Sequence, residues 1–110
     1  MVSIIKLKEK IREIQRKAWN PVEISRVNDQ VVRLAFMKGE YHWHEHKNED
    51  ELFYVVEGNL TIQVENESNV NLNKGEFAII PKSKKHCPKS TKGAYVLMFE
   101  PYNLTSKGSN

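Results

Sequence analysis

Residues 39–58 read GEYHWHEHKNEDELFYVVEG, and this stretch holds three of the four histidines of the chain. His44 and His46 are two positions apart, so in an extended strand, where side chains alternate between faces, their imidazoles point to the same side. Glu51 follows after the short polar connection 47–50, which allows the chain to turn back. The stretch therefore predicts a β-structure in which a carboxylate approaches two imidazoles from an adjacent strand.

The fourth histidine, His86, lies far downstream at the end of GEFAIIPKSKKH, residues 75–86. Imidazole and carboxylate ligands together suit one divalent transition metal such as Fe, Mn, Ni, Cu or Zn. Three nitrogen ligands and one oxygen leave positions open on an octahedral ion, where water, a substrate or O₂ can bind. The candidate ligands for such an ion are His44, His46, Glu51 and His86.

His42 extends the row to three alternating histidines, so His42 and His44 form an alternative ligand pair. The distance along the chain to Glu51 favours His44 and His46, which leaves His42 beside the site or at the surface. Within residues 49–51, the two-residue alternation of the following strand points only Glu51 inward. Glu51 is therefore also the candidate catalytic residue. Other polar-tipped side chains that could border a ligand pocket are Tyr41, Tyr54, Tyr95 and Arg33.

Outside the two histidine segments, the chain divides into a helical part and a longer part with strand periodicity. Residues 1–20 carry apolar residues at alternating three- and four-residue spacing, which predicts an amphipathic helix that starts at Ser3 and stops before Pro21. We expect this helix to pack on the main domain or on a partner. Residues 21–104 contain short strand-like runs separated by turn residues, a pattern typical of an all-β sandwich or barrel. Residues 105–110 are small and polar and predict a flexible tail. The strand-like runs are 22–24, 31–37, 52–56, 60–64, 70–72, 77–80 and 95–99.

Length, net charge and cysteine content limit the classes of protein to which the chain can belong. A chain of 110 residues has the size of one domain, and a net charge of +3 with scattered lysines argues against nucleic-acid binding. No stretch has the character of a signal peptide or a membrane span, so we expect no membrane partner. The single cysteine, Cys87, has no partner for a disulfide, which fits a reducing cytoplasm. Because Cys87 follows His86, we expect it to face away from the metal as a small buried apolar residue.

Two motifs of this chain resemble, in order and spacing, the two signature motifs of the cupin superfamily: G-x4-HxH-x4-E-x6-G over residues 39–58 and G-x5-P-x4-H over residues 75–86. The resemblance covers about residues 22–100. It implies a double-stranded β-helix, the jelly-roll barrel, as a homodimer, with the ion bound inside by the two histidines and the glutamate of the first motif and the histidine of the second. Three positions depart from the pattern, because Gly39 lies one residue closer to His44 than usual and serines occupy positions 83 and 90. None of these departures removes a ligand.

Within the superfamily, the chain is most similar to the mannose-6-phosphate isomerase-like cupins, through Trp19-x-Pro21, Trp43-His44 and residues 50–53. No glycine-rich phosphate loop accompanies this similarity, which argues against a sugar-phosphate isomerase. Our first hypothesis is a metal-dependent, dioxygenase-like enzyme that acts on a small organic molecule. The alternatives are a non-catalytic metal-dependent small-molecule binding or sensing module, and an ion with a purely structural role.

Overall fold

The computed structural model describes residues 1–103 and residue 108, so the predicted tail 105–110, except Gly108, lies outside the described residues. The described part of the chain contains one helix and seven strands. In chain order these are α1 (Leu7–Ile14), β1 (Val22–Val27), β2 (Gln30–Glu40), β3 (Glu51–Glu57), β4 (Asn59–Val64), β5 (Val70–Asn73), β6 (Phe77–Ile80) and β7 (His86–Pro101).

Helix α1 is shorter than the helix that the sequence predicts. The predicted start at Ser3 is wrong, because α1 begins after Lys6, whose side chain forms no capping hydrogen bond. Ile4 is exposed, whereas Ile14 is buried in a small apolar cluster with Phe36 on the outside of the sheet. Among the described residues, no helix has both the length and the apolar character that a membrane crossing requires.

The predicted end of the helix before Pro21 is also wrong. The helix ends at Ile14, and Gln15 adopts a left-handed conformation with φ of 55°. Further along, the amide of Trp19 donates a hydrogen bond to the carbonyl of Phe36 on β2, at 2.8 Å. This bond joins distant segments and holds the chain along the sheet. The apolar periodicity of residues 1–20 is a local property and cannot reveal this long-range bond. The prediction from the sequence therefore made the helix too long.

The strands form one antiparallel sheet in which β7 is the central element. The C-terminal part of β7 pairs with β2 on one side and β3 on the other, and its N-terminal part pairs with β4. Strands β1, β6 and β5 extend the sheet beyond β2, β3 and β4. Because a single strand of 16 residues serves both halves, the sheet encloses a common interior. The predicted all-β jelly-roll architecture is confirmed.

The interior is filled by alternate residues of the strands. Phe53 and Val55 of β3 and Leu60 and Ile62 of β4 point inward and are at most 2% exposed. Full burial of one such side chain contributes about 1.5–3 kcal/mol to folding. The inward face of β3 begins with Glu51, so the apolar core passes directly into a polar cluster.

Candidate metal centre

The structure brings together the four side chains that the sequence singles out as candidate ligands. His44 and His46 lie on the connection between β2 and β3, whereas Glu51 and His86 are the first residues of β3 and β7. One nitrogen of each histidine and one carboxylate oxygen all lie within 4.8 Å of one another. Four donors this close could hold a single ion.

Backbone hydrogen bonds fix the two segments that carry the histidines. The amide of His44 donates to the carbonyl of His86 at 3.0 Å, and the amide of His86 donates back to the carbonyl of His44 at 2.9 Å. The amide of Ser83 donates to the carbonyl of His46 at 2.7 Å. The main chain therefore fixes the backbone positions from which these three imidazoles extend.

Two of the histidines have a defined protonated nitrogen. Nδ1 of His44 lies 3.0 Å from the carbonyl oxygen of His42, and Nδ1 of His86 lies 2.9 Å from the carbonyl oxygen of Lys84. A carbonyl oxygen can only accept, so Nδ1 carries the hydrogen in both rings. In the neutral imidazole, Nε2 then keeps its lone pair and is free to bind a metal ion.

Three polar atoms of the cluster are buried without a hydrogen-bond partner: Nε2 of His46, Nε2 of His86 and Oε1 of Glu51. The carboxylate oxygen lies 3.3 Å from Nε2 of His46 and 3.7 Å from Nε2 of His86. Leaving such atoms unpaired in the interior costs about 1–3 kcal/mol each. Because all three converge on one point, a cation at that point would satisfy them together, and the donor set fits a transition-metal ion.

The protonation states suit metal binding. Burial lowers the pKa of His44 to about 4, the nearby His86 and His46 add to this effect, and the carbonyl of His42 opposes it. Burial raises the pKa of Glu51, but its contacts with the imidazoles of His46 and His86 and with Glu100 hold that pKa well below its usual range. At neutral pH, His44 is therefore neutral and Glu51 is ionised, which are the forms that bind a metal ion.

Other residues considered as ligands lie outside the cluster. The side chain of His42 is exposed, and its ring lies against that of Tyr41, with ring centroids 4.0 Å apart. Cys87 is completely buried, and burial raises the pKa of its thiol. Tyr95 packs against Phe36 on the outside of the sheet. The cluster of candidate metal ligands found among the described residues contains neither His42 nor Cys87.

An apolar pocket opens beside the cluster. It is a shallow depression with about 30 Å³ of space inside, and His44 and Glu51 form part of its wall. Tyr41 and Trp19 also line the pocket, and their rings stack with centroids 4.7 Å apart. The indole nitrogen of Trp19 donates to the carbonyl of Lys38 at 2.8 Å, which fixes the ring. Sequence reasoning indicated Tyr41 but missed Trp19 as a pocket residue, because the fold brings Trp19 there from before β1.

Sequence reasoning also missed Glu100, which is 1% exposed and lies inside the barrel at the end of β7. Its carboxylate forms an ion pair with Arg33 of β2, with Nη1 and Oε1 2.8 Å apart. Burial raises the pKa of Glu100 to about 9, contact with Glu51 acts in the same direction, and Arg33 opposes both. The signal for Glu100 is its two-residue alternation with the inward-facing Met98 and Val96.

Comparison with known proteins supports the cupin resemblance. Residues 31–100, more than half of the chain, match the family model described as Cupin domain. The chain is 42% identical over 78 residues to the uncharacterized protein YdbB of Bacillus subtilis, covering 71% of this chain and 68% of that protein. It is 34% identical to a cupin-2 domain containing protein from Shewanella frigidimarina, with a TM-score of 0.85 over 89% of this chain and 94% of that one. Hydroquinone 1,2-dioxygenase PnpCD in complex with Fe³⁺ shares the fold alone, with 16% identity and a TM-score of 0.71 over 78% of this chain and 28% of that one. The chain belongs to the cupin family.

Proposed function

We propose that this cupin binds one divalent transition-metal ion through His44, His46, Glu51 and His86 and that it is an enzyme that oxidises a small organic molecule in the adjacent pocket. The observation that carries the proposal is the set of three buried, unpartnered donor atoms that converge on one point. A protein interior rarely leaves such atoms unpaired unless an ion or a substrate satisfies them.

A bound ion would supply Lewis-acid and redox chemistry at open coordination positions. The chain itself supplies the surroundings. The stacked rings of Trp19 and Tyr41 offer a flat apolar wall for the body of a substrate, and the other apolar side chains of the pocket exclude water. His44 and Glu51 border this pocket, and the ionised carboxylate of Glu51 is placed to accept a proton from a bound molecule.

Dioxygenation is the reaction that we propose for this site. An Fe³⁺-bound dioxygenase uses the same fold, and three imidazoles with one carboxylate can hold a redox-active metal while positions stay open for O₂ and substrate. A non-catalytic binding module would have the same metal and ligand but no turnover. Oxygen consumption therefore distinguishes the two functions.

We also propose that the protein is a homodimer. Ile79 of β6, Leu52 of β3 and Phe99 of β7 are direct neighbours across three strands on the outer face. Ile79 and Phe99 are 55% and 39% exposed, as is usual for a surface that a partner covers. A flat patch of this kind fits a second copy of itself across a two-fold axis.

The test is elemental analysis of untagged protein purified without chelators. We expect about one equivalent of metal per chain, lost in the His44→Ala and His86→Ala variants. His42→Ala is the matched control, because it removes a neighbouring exposed imidazole, and we expect it to keep the metal. Consumption of O₂ with aromatic or other small organic substrates then tests the reaction in the iron- or copper-loaded protein. A parent protein that takes up no metal under any loading condition would overturn the proposal.

A further inference from the structure

A second buried carboxyl group lies beside Glu51, on the strand that pairs with β3. The ladder pairs Leu52 with Phe99, so in the same register Glu100 comes directly opposite Glu51. On the other side of β7, Glu100 pairs with Val31 of β2. Glu51 and Glu100 are 3% and 1% exposed, so two acidic side chains share a closed part of the barrel interior.

Arg33 holds the Glu100 side chain from the opposite direction. Its Nη1 donates to Oε1 of Glu100 at 2.8 Å, and its Nη2 donates to the carbonyl oxygen of Tyr102 at 2.8 Å. The guanidinium is therefore held at two points. The carboxyl group of Glu100 lies opposite that of Glu51 across the ladder, and Oε2 of Glu100 and Oε1 of Glu51 are both buried without a hydrogen-bond partner. A row of neighbouring groups therefore runs from Arg33 through Glu100 to Glu51 and ends at the imidazoles of His46 and His86.

A glutamate ligand has several rotatable bonds, so neighbouring groups are needed to restrain the Glu51 carboxylate. One carboxylate oxygen must stay directed at the ion while the rest of the group is restrained by its neighbours. The nearest imidazole nitrogens to Oε1 of Glu51, Nε2 of His46 and Nε2 of His86, belong to the cluster itself. Glu100 faces the Glu51 carboxyl group from the opposite ladder position and is anchored by Arg33, so it can restrain Glu51 from outside the donor cluster.

We propose that Arg33 and Glu100 are positioning residues that hold the Glu51 carboxylate in the orientation in which it binds the metal ion. The inference rests on the proposed function, since it assigns a supporting role within the same site. An ion pair that only stabilised the fold would leave metal affinity unchanged when it was removed.

The experiment measures the dissociation constant for Co²⁺ or Zn²⁺ by competition with a chromophoric chelator, together with the visible spectrum of the Co²⁺ form. Glu100→Gln keeps a group that can donate to Glu51 and accept from Arg33, so we expect its affinity to stay within about threefold of the parent. Glu100→Asp keeps the carboxyl group but shortens the side chain, and we expect affinity about tenfold weaker and a shifted Co²⁺ spectrum.

The double variant Arg33→Met with Glu100→Leu removes the guanidinium and the carboxyl group together. Replacement of such a largely buried pair by apolar residues of similar volume is often tolerated, so this variant should fold. We expect its metal affinity to fall by about 10–100-fold. Ser90→Ala is the matched control on the same strand, because it removes another buried hydrogen-bonding side chain, at 2.6 Å from the carbonyl of Asn59, and we expect parental affinity.

The outcomes separate the two proposals. Parental affinity and an unchanged Co²⁺ spectrum in both Glu100→Asp and the double variant would overturn the positioning role, even if the apparent melting temperature of the metal-free protein falls. Recovery of affinity and spectrum in Glu100→Gln supports it, because a general loss of stability would not be rescued by the amide. Failure of the parent protein itself to bind either ion would instead overturn the proposed function.

Discussion

At one end of the barrel, strands β3 and β7 reverse the usual arrangement, in which apolar residues face inward and charged residues face outward. At one end of the barrel, the inward positions of both strands carry Glu51 and Glu100, whereas the adjacent outward positions carry the apolar residues Leu52 and Phe99. In most sheets the apolar residues face the core and the charged residues face water. Both reversals cost free energy in an isolated chain, so each indicates an interaction with something outside the chain.

The inward acidic residues and the outward apolar residues need different partners. The carboxyl group of Glu100 is paired with Arg33, and the unpaired buried atoms of Glu51, His46 and His86 suit an ion. The outward apolar residues have no such local compensation in the described part of the chain, and they suit another protein surface. Deeper in the barrel, the inward positions return to the ordinary apolar pattern. Four predictions test this division, in order of decreasing expected effect.

The largest effect is expected in the apolar interior. Leu60 of β4 is 1% exposed, so Leu60→Ala should lower the free energy of unfolding by about 2–5 kcal/mol through lost burial and a residual cavity. Urea unfolding in the presence of a chelator measures it. The outward neighbour Thr61 is the control, and Thr61→Val should cost less than about 1 kcal/mol. Because Leu60 lies outside the donor cluster, the variant should still take up metal, and loss of metal would contradict the division of the interior into two parts.

Metal-dependent stabilisation should disappear when one candidate ligand is removed. At a free metal concentration of 100 times the dissociation constant, the parent should gain about 2.7 kcal/mol in the free energy of unfolding. His86→Ala should gain none, because a buried donor is missing, whereas His42→Ala should gain as much as the parent. Unfolding curves with and without metal provide the measurement. Equal stabilisation of the parent and His86→Ala would show that metal binds elsewhere.

The contribution of His44 to the stability of the metal-free protein should fall on acidification. In the unfolded chain, His44 binds a proton below its ordinary pKa of 6.5, whereas burial lowers its pKa in the folded chain to about 4. Between these two values the unfolded state binds more protons at His44, so the His44 contribution to the free energy of unfolding falls as the pH falls. Glu100, whose pKa in the folded chain is raised to about 9, contributes in the opposite direction, so the effect of His44 is measured as the difference from a variant that lacks it. Glu51, whose folded pKa lies below its usual range, adds a further loss at lower pH.

Urea midpoints at several pH values between 7 and 4, measured with a chelator, check this dependence. The His44→Gln variant cannot take up the proton, so its stability relative to the parent should rise as the pH falls from 6.5 towards 4. Parallel pH profiles of the parent and His44→Gln would contradict the assigned shift.

The smallest effect on the folded chain should come from the outer face. Ile79→Asp should change the free energy of unfolding of a monomer by no more than about 0.5 kcal/mol, because the side chain is 55% exposed. It should nevertheless convert a dimer to a monomer, which sedimentation equilibrium or light scattering measures as a halved mass. Val27, which is 50% exposed on the edge strand β1, is the control, and Val27→Asp should leave the mass unchanged. A monomeric parent would contradict the proposed dimer.

Much of the candidate site could be predicted because its geometry is local in origin. Two histidines at alternate positions share a face in any extended chain, and the alternation that follows Glu51 places Phe53 and Val55 inward, as observed. Strands with a clear apolar run were likewise predicted. The first part of β7 was not, because Pro88, Gly93 and several polar residues interrupt its periodicity. This part becomes a strand through pairing with β4, from a remote part of the chain.

The amino-acid sequence by itself determined most of the strand pattern, the family and the set of candidate donors, since each depends on residue type and on spacing over a few positions. Only the tertiary structure decided where α1 ends and which charges meet inside the barrel. Arg33 and Glu100 are 67 positions apart and come together because β2 pairs with β7, whereas Glu51 reaches Glu100 because β3 pairs with the opposite edge of β7. Strand register is a property of the whole sheet, and a shift by one residue would turn each of these side chains to the other face.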